Sequence, residues 1–176
     1  MPGTASIYQV FGVSGSALND AANAELIPFS PGANNVFTFS VSGTISNCCT
    51  QRGPDGELGA SGTVVGVNGL SNVQGNSGLP LLGVFLTDTT PVGGKAPAAL
   101  PYDANNPTSL APVIGQIFYI GDGRAGLANA SGAVLTFTAP PNATRLYVGM
   151  ADGFDGQPPT MYGDNSGSFT VHATRP

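Results

Sequence analysis

Val36-Phe37-Thr38-Phe39-Ser40-Val41-Ser42-Gly43-Thr44-Ile45 alternates apolar and small polar side chains with a period of two. Successive side chains of a strand point to opposite faces, so Phe37, Phe39 and Val41 would line a core while the serines and threonines meet water. The same period returns in Ala133 to Ala139, with Leu135 and Phe137 inward, and in Arg145 to Asp152, with Leu146, Val148 and Met150 inward. It recurs once more in Ser168 to His172, through Phe169 and Val171. Less regular apolar runs at Ile7 to Val13, Thr63 to Val67, Leu81 to Thr87 and Val113 to Ile120 predict strands buried on both faces or at sheet centres. About eight strands are expected on this reading.

Turn clusters separate these runs: Ser30-Pro31-Gly32, Gly53-Pro54-Asp55-Gly56, Gly121-Asp122-Gly123, Pro140-Pro141-Asn142 and Gly163-Asp164-Asn165-Ser166-Gly167. Many short strands with regular turns predict an all-β chain folded as an antiparallel β-sandwich. Thr87 to Pro112, with five prolines and Gly93-Gly94, is expected to be a long loop. Strand-like runs of the same character flank it, so it is read as an insertion within one domain spanning residues 1–176. One short helix is expected, around Ser16 to Glu25.

The chain's 26 glycines and 15 prolines in 176 residues exclude long helices. Five Lys and Arg against ten Asp and Glu give a net charge of -5, which leaves no basic patch for a phosphate backbone or an anionic membrane surface. Nucleic acid is therefore not an expected partner, and no apolar run is long enough to insert in a bilayer. Charged residues are 9% of the chain, so Ser, Thr, Asn and Gly must cover the surface, as in exported proteins. A secreted, extracellular protein is expected. Met1-Pro2-Gly3-Thr4 carries no export signal, and the chain is read as a mature form.

The one histidine, His172, falls on the predicted solvent face of the last strand. Without a Cys-x-x-Cys pair, a Gly-x-Ser-x-Gly elbow or a phosphate-binding glycine loop, the usual enzyme signatures are missing, and no catalytic residue is assigned. Asp152-Gly-Phe154-Asp155-Gly-Gln-Pro-Pro-Thr-Met161-Tyr162-Gly-Asp164-Asn165 is richer. Three carboxylates and the Asn165 amide oxygen gather in a stretch without Lys or Arg. Ca2+ takes six to eight oxygens from carboxylates, amides and backbone carbonyls, and glycines let a loop turn its carbonyls inward. The same residues also build turns that bind nothing, and composition leaves both readings open.

Tyr162-Gly-Asp-Asn-Ser-Gly-Ser-Phe-Thr-Val171 resembles the closing motif of the PA-IL-type galactophilic lectins, calcium-dependent β-sandwich proteins exported by bacteria. Phe29-Ser-Pro-Gly32, Gly43-Thr-Ile-Ser-Asn-Cys-Cys-Thr-Gln51, Gly53-Pro-Asp-Gly-Glu57 and Ala139-Pro-Pro-Asn-Ala-Thr-Arg-Leu-Tyr-Val-Gly-Met-Ala-Asp152 are similar to other parts of that family. The resemblance implies a jelly-roll-like sandwich akin to galactose-binding domains. It also implies one Ca2+ held by the side chains of Asp152, Asp164 and Asn165 and by the carbonyls of Asn47 and Met161. The loop after Asp152 is longer than in the family, so Asp155 competes with Asp152 for the ligand role.

The family also places a His-Pro pair and a Gln against galactose just after the Gly-Pro-x-Gly turn. Here that place reads Leu58-Gly-Ala-Ser-Gly62, and the sugar-selecting side chains are missing. Bound calcium with open positions accepts two vicinal hydroxyls of a monosaccharide, and aromatic stacking usually supplies the rest. Tyr162 and Phe154 are the aromatics nearest the implied cation, with packing under the loop as their other role. Cys48 and Cys49 would sit beside it. A ring closed between neighbouring residues needs a distorted peptide, which argues for two free thiols; an oxidised pair would instead offer a stiff apolar face to a sugar. The expected function is a calcium-dependent carbohydrate-binding module, with affinity built by repetition through a homo-oligomer or a multivalent glycan. The alternative is a structural matrix or adhesion protein in which calcium only fastens loops.

Overall fold

The computed structural model describes residues 1–11, 20–30 and 35–175. In chain order its strands are β1 (Ala5–Ser6), β2 (Ala22–Asn23), β3 (Glu25–Pro28), β4 (Val36–Asn47), β5 (Thr50–Arg52), β6 (Glu57–Val64) and β7 (Val73–Gly78). They continue with β8 (Leu82–Leu86), β9 (Ser109–Leu110), β10 (Ile117–Tyr119), β11 (Thr136–Thr138), β12 (Arg145–Gly149) and β13 (Asn165–Thr174), and a 3-10 turn at Tyr162–Asp164 precedes the last. Two sheets carry the core, one in the order β10-β8-β12-β3 and one in the order β13-β4-β11-β9, with β5 folded back on β4. The chain is an all-β sandwich. Its pairings are antiparallel apart from the two-residue pairs β1-β2 and β9-β11.

The alternation in β4 and β13 sets the second sheet's inner face. Phe37, Phe39, Ile45 and Phe169 are buried, while Ser40, Ser42, Ser168, Thr170 and His172 face out. Aromatic rings then join the layers: Phe37 of β4 meets Phe85 of β8 at 5.5 Å, and Phe118 of β10 meets Phe137 of β11 at 4.9 Å. Tilted ring pairs at these spacings add about 0.5–1.5 kcal/mol each beyond the area they bury. In β8 every residue is buried, as its unbroken apolar run predicts.

Three expectations are corrected. Residues 16–19 of the expected helix lie outside the described residues, and the rest of it is extended: Ala22–Asn23 pairs with β1, and Glu25–Pro28 fills the edge of β12. An unpaired sheet edge outweighs a modest helix propensity. Ile7 to Val10 is buried without joining a ladder beyond β1, and residues 12 and 13 lie outside the described residues. Third, β12 alternates in sequence yet is buried on both faces, because the segment after β1 covers its outer side: Phe11 packs on Tyr147 at 5.6 Å, and a side chain at Gly149 would strike the Ile7 backbone at 2.7 Å.

The β6-β7 hairpin stands off the two main sheets. Its outer edge is met by the long loop, where the Tyr102 N–H donates to the Gln74 carbonyl at 3.1 Å and the Asn76 N–H to the Tyr102 carbonyl at 3.2 Å. The Tyr102 ring lies across Gly75, where any side chain would collide with it, and stacks on Tyr119 at 5.0 Å. Below the hairpin, buried Asp55 accepts hydrogen bonds from the Tyr119 hydroxyl, the Asp122 N–H at 3.0 Å and the Ala128 N–H at 3.1 Å. One carboxylate thus ties the turn before β6 to the loop after β10.

Candidate functional site

The ends of β12, β4 and β13 meet at one end of the sandwich. Register sets this, because Asn165, the first residue of β13, pairs with Asn47, the last of β4. Buried Tyr162 fixes the remaining approach. Its hydroxyl accepts from Ser6 Oγ at 2.8 Å and from the Asp152 N–H at 3.2 Å, and donates to the Met150 carbonyl at 3.1 Å. The Met161 N–H closes the loop on the Asp152 carbonyl at 3.3 Å, and the Cys48 N–H donates to the Asp164 carbonyl at 3.1 Å. Asp152, Asp164, Asn165, Asn47 and Met161 are thereby brought together from three separate segments: the end of β4, the residues after β12, and the turn into β13.

This cluster is electrostatically incomplete. Asp152 Oδ2 and both polar atoms of the Asn165 side chain, a residue only 8% exposed, are buried without a well-formed hydrogen bond, although the Asn165 amide lies close enough to the Asp152 carboxyl to favour its charged form. Each orphaned polar atom costs about 1–3 kcal/mol. Burial pushes the Asp152 carboxyl up to about 6; the Asn165 amide opposes that shift and the Asp164 carboxylate adds to it. Among the described residues no three Asp, Glu, His or Cys side chains converge as a metal group. What gathers is the carboxylates of Asp152 and Asp164 with the Asn165 amide, oxygen donors of the kind a hard cation takes. The Asn47 carbonyl also accepts the Cys49 N–H at 2.6 Å, at the mouth of the β4-β5 turn.

Asp155 does not join the pair. Its Oδ1 accepts the Thr63 N–H at 2.7 Å, and the Gly156 N–H donates to the Thr63 carbonyl at 2.7 Å, so residues 153–160 form a strap from the β12 end to β6. Asn47, Asp152, Met161 and Asp164 line one side of a cavity of about 360 Å³, with Glu57 and Thr63 of β6 also on its wall. Phe154, 66% exposed, reaches it from the strap. Tyr162, expected as a ligand contact, is fully buried and serves as an anchor under the loop. A second depression, between residues 111–114 and 138–142, is mainly apolar and has no charged side chain.

The cysteines correct another expectation. Cys48 and Cys49 form a disulfide with each other rather than two free thiols. They are the two central residues of the tight β4-β5 turn, flanked by the Asn47–Thr50 pair, and Cys48 has a φ of 56°. An argument from strain in an isolated dipeptide omits this turn, which the flanking ladder holds bent. Both cysteines are exposed beside Asn47.

No protein-family model, curated protein or solved structure matches this chain. The likeness to the galactophilic lectins therefore stands on the quoted residues alone. Sequence reasoning missed the β6-β7 wall and, of the two roles open to Tyr162, did not single out packing under the loop, the one its burial fits. Residues 59–62, Gly-Ala-Ser-Gly, carry no apolar alternation, and the partners of the Tyr162 hydroxyl lie up to 156 positions away.

Proposed function

We propose that this chain is a calcium-dependent carbohydrate-binding module of an exported protein and not an enzyme. The observation that carries the reading is the set of orphaned oxygens: Asp152 Oδ2, whose residue lines a cavity of about 360 Å³ together with Asp164, and Asn165 Oδ1 lie buried without a well-formed hydrogen bond. A cation held there by Asp152, Asp164 and Asn165 and by the Asn47 and Met161 carbonyls would satisfy both atoms. Calcium bound in such a set keeps open positions that two vicinal sugar hydroxyls complete. The volume suits a small ligand. Exposed Phe154 and the apolar Cys48–Cys49 ring supply faces on which a sugar ring can rest.

The low charge content and polar surface support an extracellular setting. A purely structural role for calcium is favoured by one observation, that its implied ligands lie on three segments that a cation would fasten together. Calorimetric titration with Ca2+, then with methyl galactoside, mannoside and fucoside in calcium and in excess chelator, separates the two readings. Calcium uptake followed by chelator-sensitive sugar binding, with little preference among the sugars, is expected. Calcium uptake with no sugar signal assigns the structural role, and sugar binding that survives chelator contradicts the mechanism.

A further inference from the structure

The β6 side of the cavity is acidic, although nothing in the implied calcium set requires it to be. Glu57, the first residue of β6, lines the cavity, and its Oε1 is held by Arg52 Nη2 at 2.9 Å. Arg52 does not line the cavity itself. Asp155 lines the same cavity, with one oxygen fixed on the Thr63 N–H and the second left to a ligand. No Lys, Arg or His lines the cavity among the described residues.

Charge balance then decides what the cavity admits. Asp152 and Asp164 together match the two positive charges of a bound calcium, so the pair offers no net attraction to an anion. Glu57 and Asp155 remain, with Glu57 offset in part by Arg52. We propose that Glu57 and Asp155 are specificity-determining residues that make this a site for neutral sugars and turn away uronates and other acidic glycans. Their carboxylates accept hydrogen bonds from ligand hydroxyls and repel a ligand carboxylate. The inference rests on the carbohydrate reading above, and it adds to that reading the class of sugar.

The test is titration of the whole chain, at fixed free calcium, with the methyl glycosides of galactose and glucose and with those of galacturonic and glucuronic acid. In each pair the ring is the same and the added carboxylate is the variable. Each neutral glycoside is expected to bind more tightly than its uronate on the order of tenfold, the size of a like-charge contact at intermediate dielectric. Glu57→Gln and Asp155→Asn keep hydrogen-bonding atoms in place and remove a charge; each is expected to narrow that ratio, and the double variant to bring it close to one. Asp155→Asn retains an oxygen for the Thr63 N–H, so it keeps the test valid should Glu57→Gln fold poorly. Uronates that bind as well as the neutral sugars in the wild type, or a ratio that neither variant moves, overturn the inference and leave the carbohydrate reading standing. Calcium uptake without binding of any of the four sugars removes that reading, and the inference with it.

Discussion

The hydroxyl of Tyr162 accepts the backbone N–H of Asp152 at 3.2 Å while donating to the Met150 carbonyl, two residues earlier on the same chain. A phenol buried ten residues downstream of Asp152 thus fixes the main chain on which this half-buried candidate ligand is mounted. Tyr162→Phe keeps the packing and removes the acceptor for both Asp152 N–H and Ser6 Oγ. The expected cost is about 1–3 kcal/mol of stability. Calcium affinity should fall with it, because Asp152 loses its mount. Denaturant melts and a calcium titration on the same variant read the two effects separately.

Asp152 also sets a pH dependence. Its folded value of about 6 lies above the ordinary 3.8, so between those values the native state holds a proton that the unfolded chain has lost. Stability of the metal-free protein therefore falls as pH rises from about 4 to 6 and levels off above. Asp152→Asn removes that slope, and saturating calcium opposes it at its upper end. Thermal melts of stripped protein across this range check the sign; a rise in stability through the same window would contradict the burial of this carboxylate.

For the cysteines, alkylation under denaturing conditions without reductant should add no mass. After treatment with a dithiol, two alkyl groups should add. Intact mass decides it, and two groups added without reductant would show free thiols at the β4-β5 turn.

Asp55 anchors the base of the cavity wall from a distance. Asp55→Ala strands the Tyr119 hydroxyl and the Asp122 and Ala128 N–H groups, and should cost roughly 2–4 kcal/mol. Amide exchange is expected to accelerate in the loop after β10. An unchanged melting temperature would deny it this role.

Residues whose neighbours are close in sequence were the readable ones. Phe37, Phe39 and Phe169 declare their face through the period of two, and the run Leu82–Leu86 declares a doubly buried strand. The cluster from Asp152 to Asn165 stood out by composition, because its oxygens and glycines fall in one stretch. Contacts made at long range were not readable. Whether Asp155 or Asp152 faces the pair depends on the Thr63 N–H, which lies 92 positions from Asp155. The second covered face of β12 depends on Ile7 and Phe11, and the β6-β7 hairpin is held by Tyr102 from a loop that carries only prolines and small residues as a signal.

The central claim is that the orphaned oxygens of Asp152 and Asn165 belong to a calcium site, and melting in calcium against chelator tests it most directly. At a hundredfold excess over Kd, a ligand specific to the folded state adds about 2.7 kcal/mol, which raises the melting temperature of a chain this size by about 5–10 °C. The wild type should show that shift, and Asp164→Ala should lose most of it at the same calcium concentration. A wild-type melting temperature identical in millimolar calcium and in excess chelator would contradict the account.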